Sequence, residues 1–188
     1  MNPTDALVAA EGTFDSPLAG VRPDQWATPT GCEGWSVSDL ARHVIGANRM
    51  SVALLGGGDR AAGIAAMACT EPDDQLVEAF RASAAAQAAA FAAPGAMGGT
   101  VAHPIGDIPA GQLFEFRIID LAIHGWDLAV ATGQSPDIDP ALVAFLWERL
   151  EPRAGHLAST GVFGSGSTGQ VPEDAPLQSR LLDILGRG

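Results

Sequence analysis

The segment from Gln112 to Thr132 constrains the fold most, because it has the length and the apolar spacing of a long helix. Gly133 follows it as a stop signal. An amphipathic helix must bury its apolar stripe against other elements, so the rest of the chain must supply packing partners. That stripe contains Leu113, Leu121, Leu128 and Ala131.

Two other long helices are predicted upstream of this segment. The first covers residues 37–55, because Ser36 with Asp39 three residues later is an N-cap signature. The second begins after Thr70, where acidic residues and an early proline suit a helix start, and continues to about Ala92.

The remaining segments give weaker or shorter signals. Downstream of the long helix, another helix is expected over residues 139–150, since Asp139 and Pro140 form an N-cap and N1 pair. A last amphipathic turn is expected over residues 179–185.

A first helix over residues 4–20 should be short or bent, because Gly12 and Pro17 interrupt its pattern. Residues 94–111 hold so many glycines and prolines that we expect a long loop without regular structure.

These elements predict an all-α fold, a four-helix bundle with crossover connections and short extra helices. The chain is rich in Ala and Leu and has no Tyr, which favours helices over a β-sandwich. Its 188 residues, 47% of them hydrophobic, can bury a substantial core. No internal repeat or long linker divides the sequence, so we expect a single domain over residues 1–188.

Charge and cysteine content limit the partners and the compartment. A formal net charge of −12 repels nucleic acid and anionic lipid, so neither is an expected partner. The sequence shows no secretory signal and no membrane-spanning run, so we expect a cytoplasmic protein. Cys32 and Cys69 suit a reducing compartment and are too few for a cysteine-based zinc site.

Asp120 and His124 are the first candidate site residues, because they lie one helical turn apart within the apolar stripe. A buried carboxylate and imidazole need partners. They could simply bond to each other or to Arg117, and from spacing alone this structural alternative has about equal weight. His43, on the inward face of the helix over residues 37–55, adds a third ligand and favours a metal site.

Two nitrogen ligands and one oxygen ligand leave a fourth tetrahedral position for water or substrate, which is typical of catalytic zinc. Such an ion lowers the pKa of a bound water or thiol, and so makes it a nucleophile at neutral pH.

Other side chains have more than one open interpretation. Asp127 could orient His124 by accepting its hydrogen bond, or make ordinary helix-edge bonds. His103 could be a surface residue, a fourth ligand or a general base. Arg49 and Arg117 could attract a carboxylate substrate or form structural ion pairs.

Three more residues have an ordinary structural interpretation or no distinguishing one, although the role of Cys32 stays open. Trp35 should pack at the start of its helix, and Cys32 should be a small buried hydrophobe and not a nucleophile. His156 has no distinguishing feature.

Three segments carry a family resemblance: TPTGCEGWSVSDLARHVIG, RIIDLAIHGWDLAVATGQSPDID and LQSRLLDILGRG. They resemble the mycothiol-dependent maleylpyruvate isomerase N-terminal domain family, of the DinB-like metal-binding superfamily. That family's four-helix bundle holds its metal with a histidine on the second helix and an acidic-x-x-x-His pair on a later one. The resemblance therefore implies that His43, Asp120 and His124 are the metal ligands.

The resemblance also implies an activity. We expect a metal-dependent transferase or isomerase that uses a mycothiol-type thiol on a small electrophile, with zinc as the metal and nickel as the alternative. The chain could form a homodimer. A non-catalytic metal-binding or regulatory module, or a metal-assisted hydrolase, are the alternative functions.

Overall fold

The structure, a computed structural model, describes residues 1–155 and 166–187. Its helices are α1 Pro3–Ala19, α2 Val37–Leu55, α3 Arg60–Ala66, α4 Leu76–Ala92, α5 Ala110–Thr132, α6 Pro140–Leu150 and α7 Leu177–Ile184. Two strands, β1 Thr100–His103 and β2 Gly106–Pro109, form an antiparallel hairpin. Short 3-10 turns occupy Asp73–Gln75, Ala96–Gly98 and Glu151–Arg153.

The chain divides into two compact units, Ala10–Pro136 and a smaller unit made of Met1–Ala9 with Asp137–Gly188. Within the smaller unit α6 packs against α7, and the Arg180 guanidinium lies 4.5 Å from the centre of the Trp147 ring. The prediction of a single domain stays a prediction.

Helix α2 begins where its capping signature predicted. The Asp39 backbone N–H donates to Ser36 Oγ at 3.2 Å, and the Ser36 backbone N–H donates to Asp39 Oδ2 at 3.0 Å. Two otherwise unpaired donors are thus satisfied, which holds the first turn in place. From this start α2 packs against α4 and α5 and buries Leu40 and Val44 completely.

Helix α5 is the 23-residue element that the apolar stripe predicted, although it begins at Ala110, two residues before the expected start. It ends at Thr132, and the next residue, Gly133, has a φ of 70°, the left-handed conformation that glycine adopts after a helix without a steric cost. Leu121 and Leu128 are completely buried. Neither α5 nor any other helix of the described residues is long and apolar enough to cross a membrane.

Helix α1 is longer than one of the two expectations for the first element, since it continues for 17 residues through both Gly12 and Pro17. The other expectation, a bend, stays a prediction. Pro17 lies in the last turn and lacks the N–H that would donate to the Thr13 carbonyl, so α1 loses one helical bond there. Gly12 costs only about 0.5–1 kcal/mol. The burial of Phe14 and Leu18 outweighs both, and the Phe14 ring lies 4.8 Å from that of Phe80 on α4.

In the larger unit, α1 from Ala10 onward joins α2, α4 and α5 in a four-helix bundle, which confirms the predicted all-α fold class. The connections from α2 to α4 and from α4 to α5 are long and carry the additional elements α3 and the hairpin.

The prediction of a loop without regular structure over residues 94–111 is wrong, because the β1–β2 hairpin lies there. Val101 pairs with Ile108 across the hairpin, and both side chains are buried. β-branched residues that share one buried face favour strand pairing, and Gly106, at φ 136°, allows the tight turn between the strands. The glycine and proline content of residues 94–111 does not reveal the pairing of Val101 with Ile108.

Helices α1 and α5 approach each other closely at Gly125, the residue after His124. An ideal Cβ at this position would lie 2.5 Å from the Thr13 carbonyl oxygen and 3.0 Å from the Phe14 nitrogen. Both are backbone atoms and cannot move aside, so only glycine permits this approach.

We expect Gly125→Ala to lower the free energy of unfolding by about 1–3 kcal/mol, because overpacking forces the two backbones apart. Gly12→Ala is the matched control, since its Cβ would meet no atom within 4 Å. It should instead stabilise the chain by about 0.5–1 kcal/mol. Urea unfolding measures the free energy of unfolding of both variants and of the wild type. A Gly125→Ala variant as stable as Gly12→Ala would contradict the prediction.

Candidate metal centre

His43, Asp120 and His124 come together in the larger unit, with one ligand atom of each within 4.8 Å of the others. Helix α2 contributes His43, and the other two lie one turn apart on α5. Asp120 Oδ1 lies 3.5 Å from His43 Nε2 and 3.3 Å from His124 Nε2. The two imidazole rings meet edge to face with their centres 5.2 Å apart.

This donor set fits a zinc-sized ion. Zinc bonds to nitrogen and oxygen are about 2.0–2.1 Å long, so two ligand atoms of a tetrahedral site are separated by about 3.3 Å. The two distances to Asp120 Oδ1, 3.3 and 3.5 Å, match that separation. The side chains of His43 and Asp120 are 28% and 17% exposed, so the cluster lies at the margin of the bundle core and is not fully enclosed by it.

Opposite charges define the electrostatics of the two α5 residues. Burial alone would raise the pKa of Asp120, but the Arg117 charge, the His124 charge and bonds to both histidines hold that pKa well below its usual range. Burial would lower the pKa of His124, but the Asp120 carboxylate and bonds to Asp120, Asp127 and Cys32 raise it well above its usual range. A cation bound at His124 Nε2 would therefore displace a proton.

Asp127 holds the other side of the His124 ring. Its carboxylate Oδ2 lies 3.0 Å from His124 Nδ1, and its side chain is 1% exposed. A carboxylate that accepts from one imidazole nitrogen fixes the ring orientation and leaves the other nitrogen free to bind a metal. The contact is present as both interpretations of Asp127 require, and its role in holding a metal ligand stays a prediction.

A loop over residues 28–36 lies beside the two histidines and contributes side chains that sequence reasoning did not assign to the site. The Trp35 ring centre is 4.7 Å from that of His43 and 6.0 Å from that of His124. Trp35 therefore forms one wall of the centre.

Cys32, in the same loop, differs from the small buried hydrophobe that we expected. It is half-buried, its thiol donates to Asp127 Oδ2 at 3.4 Å, and its Sγ lies 3.8 Å from His124 Nδ1. Cys32, His124 and Asp127 thereby form a second group of potential ligand atoms within 4.8 Å of one another. Both Cys32 and Asp127 face the Nδ1 side of the ring, whereas Asp120 faces Nε2.

The other candidate residues have structural partners. Arg117 Nη1 donates to Asp120 Oδ2 at 2.6 Å, so the predicted ion pair exists together with the His–Asp–His cluster. Arg49 pairs with Glu71.

His103 lies on β1 with its ring 5.9 Å from that of Phe116, outside both groups of potential ligands in the described chain, and burial lowers its pKa. His156 falls outside the described residues.

A helical bundle with two histidines and a carboxylate converging from facing helices has the architecture of a bundle-type metal-binding protein. The sequence model of one protein family, the mycothiol maleylpyruvate isomerase N-terminal domain, matches residues 7–129, which include all three converging side chains. The chain belongs to this family, as the sequence resemblance indicated.

Relatives and solved structures resemble the chain over most of its length. Two uncharacterized proteins of Mycobacterium tuberculosis, Rv0738 and MT0763, are each 37% identical over 194 residues, an alignment covering 100% of this chain and 98% of theirs. A crystal structure of the mycothiol-dependent maleylpyruvate isomerase superposes with a TM-score of 0.64 at 16% identity, covering 100% of this chain and 90% of that one. A histidine-to-alanine mutant of that isomerase gives a TM-score of 0.58 at 18% identity, covering 86% and 73%. These superpositions show a shared fold.

We expect Asp127→Asn to weaken zinc binding by about 10–100-fold, because the amide is a poorer acceptor for the His124 ring. Asp107→Asn, at a position 71% exposed on β2, is the matched control and should bind zinc as the wild type does. Competition titration against a chelator measures both affinities. Equal affinity of Asp127→Asn and wild type would remove Asp127 from the centre.

Proposed function

We propose that the chain is a metal-dependent transferase or isomerase, in which His43, Asp120 and His124 hold a divalent ion and a low-molecular-weight thiol of the mycothiol type attacks a small electrophile. Zinc is the proposed ion and nickel the alternative. The observation that carries the proposal is the convergence of two imidazoles and one carboxylate, with Asp120 Oδ1 at 3.5 Å from His43 Nε2 and 3.3 Å from His124 Nε2.

Three protein ligands would leave a coordination position for an exogenous group, which distinguishes catalytic from structural zinc sites. When bound, the ion would supply a Lewis acid that attracts a thiol and lowers the pKa of its S–H group. Membership in the mycothiol maleylpyruvate isomerase family supports a thiol as that group, and isomerisation or transfer as the reaction class.

The protein's own residues would prepare this chemistry before any substrate arrives. Asp127 orients His124, and the Arg117 charge keeps Asp120 in the carboxylate form that binds a cation. Trp35 covers one side of both histidines with an aromatic surface. This wall would exclude water from one side of the reaction and orient the bound molecules.

The partners that we propose are thus a small thiol and a small electrophile. The net charge of −12 disfavours nucleic acid and anionic membrane surfaces. Cytoplasmic location and a homodimer stay predictions.

We expect His43→Ala, Asp120→Ala and His124→Ala each to lower the bound zinc well below one equivalent. The far-UV helical signal should stay largely intact, because the bundle has its own hydrophobic core and does not depend on the ion as a zinc finger does. Asp120→Ala should also lower the melting temperature more than the two histidine variants do, because it leaves the buried Arg117 without its carboxylate partner. Metal analysis after dialysis measures the content, and His103→Ala is the control histidine variant. A full equivalent in all three variants would contradict the ligand assignment.

A thiol test distinguishes the proposed chemistry from other uses of the same centre. In the cobalt-substituted protein, mycothiol should add a sulfur-to-cobalt charge-transfer band in the near ultraviolet, and His43→Ala should abolish it. Cysteamine reports on the ion alone, so much tighter binding of mycothiol would show that the walls of the site recognise it. If neither thiol changes the spectrum at millimolar concentration, the function is metal-assisted hydrolysis or metal binding without catalysis.

A further inference from the structure

Arg117 is a buried cation whose donors are directed at three helices. The residue is 3% exposed. Its Nη1 donates to Asp120 Oδ2 at 2.6 Å, its Nε to Gln87 Oε1 at 2.9 Å, and its Nη2 to Asn48 Oδ1 at 2.8 Å and to the Val44 carbonyl at 3.5 Å. The planar guanidinium presents its donors in a fixed fork, so contacts with α2 and α4 set the direction in which it meets Asp120 on α5.

The two side chains outside α5 that accept from Arg117 are buried, and one of them, Asn48, is also held by a bond of its own. Asn48 Nδ2 donates to Ser83 Oγ at 3.0 Å, and the Ser83 hydroxyl donates to the Phe80 carbonyl at 2.8 Å. Asn48 and Gln87 are completely buried. The guanidinium therefore cannot follow Asp120 if the carboxylate rotates.

This arrangement makes the two oxygens of Asp120 different. Oδ2 accepts the short bond from Arg117, whereas Oδ1 faces both His43 Nε2 and His124 Nε2. Turning Oδ2 toward the histidines would break a charge-assisted bond and leave a buried guanidinium donor without its partner, which is costly.

The geometry points to Arg117 as a positioning residue that restricts Asp120 to one coordinating oxygen, and so keeps a coordination position of the ion open. This inference rests on the proposed function for the presence of the ion. A carboxylate that bound through both oxygens would occupy an additional position and compete with any incoming ligand. Arg117 thus acts through Asp120 and need not touch the substrate.

Cobalt spectroscopy tests this assignment without any assay of activity, because four-coordinate cobalt absorbs severalfold more strongly in the visible region than five-coordinate cobalt. Wild-type protein loaded with cobalt should give the intense four-coordinate spectrum. Arg117→Met should lose that intensity severalfold while it retains bound cobalt, and X-ray absorption should show one more light ligand. Arg117→Lys, which keeps the charge but not the fork, should fall between them.

Arg81→Met is the matched control. It removes the exposed pair in which Arg81 Nε donates to Asp15 Oδ1 at 2.8 Å, and should leave the cobalt spectrum unchanged. An unchanged spectrum in both Arg117 variants would overturn the inference. If Arg117→Met does not fold, the spectrum of Arg117→Lys and the X-ray absorption of wild-type protein test the inference instead. A wild-type Asp120 that binds cobalt through both oxygens would overturn the inference.

The outcome also separates this inference from the proposed function. If wild-type protein binds no cobalt, both are wrong. Suppose that cobalt in the wild-type protein is four-coordinate, that no added thiol changes its spectrum, and that Arg117→Met gains a ligand. The thiol chemistry is then wrong, and the role of Arg117 is supported.

Discussion

The ion pair between Arg117 and Asp120 is the interaction on which both the bundle core and the candidate metal centre depend. Burying a guanidinium is costly unless it is fully paired, and removing one partner of a buried pair typically costs about 3–5 kcal/mol. Here the pairing groups come from α2, α4 and α5, so the three helices must dock in one register for Arg117 to be satisfied. The same register brings His43 to Asp120 and His124.

A second carboxyl in this interior shows how much the direct bond matters. Burial raises the pKa of Glu11 to about 7 even though the Arg117 charge opposes this, and Glu11 Oε1 has no hydrogen-bond partner among the described residues. Asp120 bonds Arg117 directly, and its pKa falls instead. One guanidinium thus stabilises the charged form of the carboxylate that it contacts, and leaves the more distant one closer to neutral at physiological pH.

Helical spacing made the three converging residues predictable. Asp120 and His124 share one face because they are four residues apart, and His43 lies on the inward face of a helix whose start was marked by Ser36 and Asp39. Nothing in the sequence showed that Trp35 and Cys32 would reach the histidines, because their positions depend on how an irregular loop folds back. The hairpin was missed for a similar reason, since its stability lies in the pairing of Val101 with Ile108 and not in local composition.

The loop over residues 28–36 forms part of the lining of the candidate centre, whereas helices α2 and α5 carry the converging side chains, so the two can change independently. Its path is set mainly by backbone bonds, from Val37 N–H to the Thr28 carbonyl, from Thr30 N–H to the Trp35 carbonyl and from Trp35 N–H to the Cys32 carbonyl. Side chains at positions 32, 33 and 35 can therefore be exchanged without disturbing these bonds or the helices that carry the ligands. Substitutions at these positions would therefore change the surface beside the two histidines, while the helices that carry His43, Asp120 and His124 keep their places.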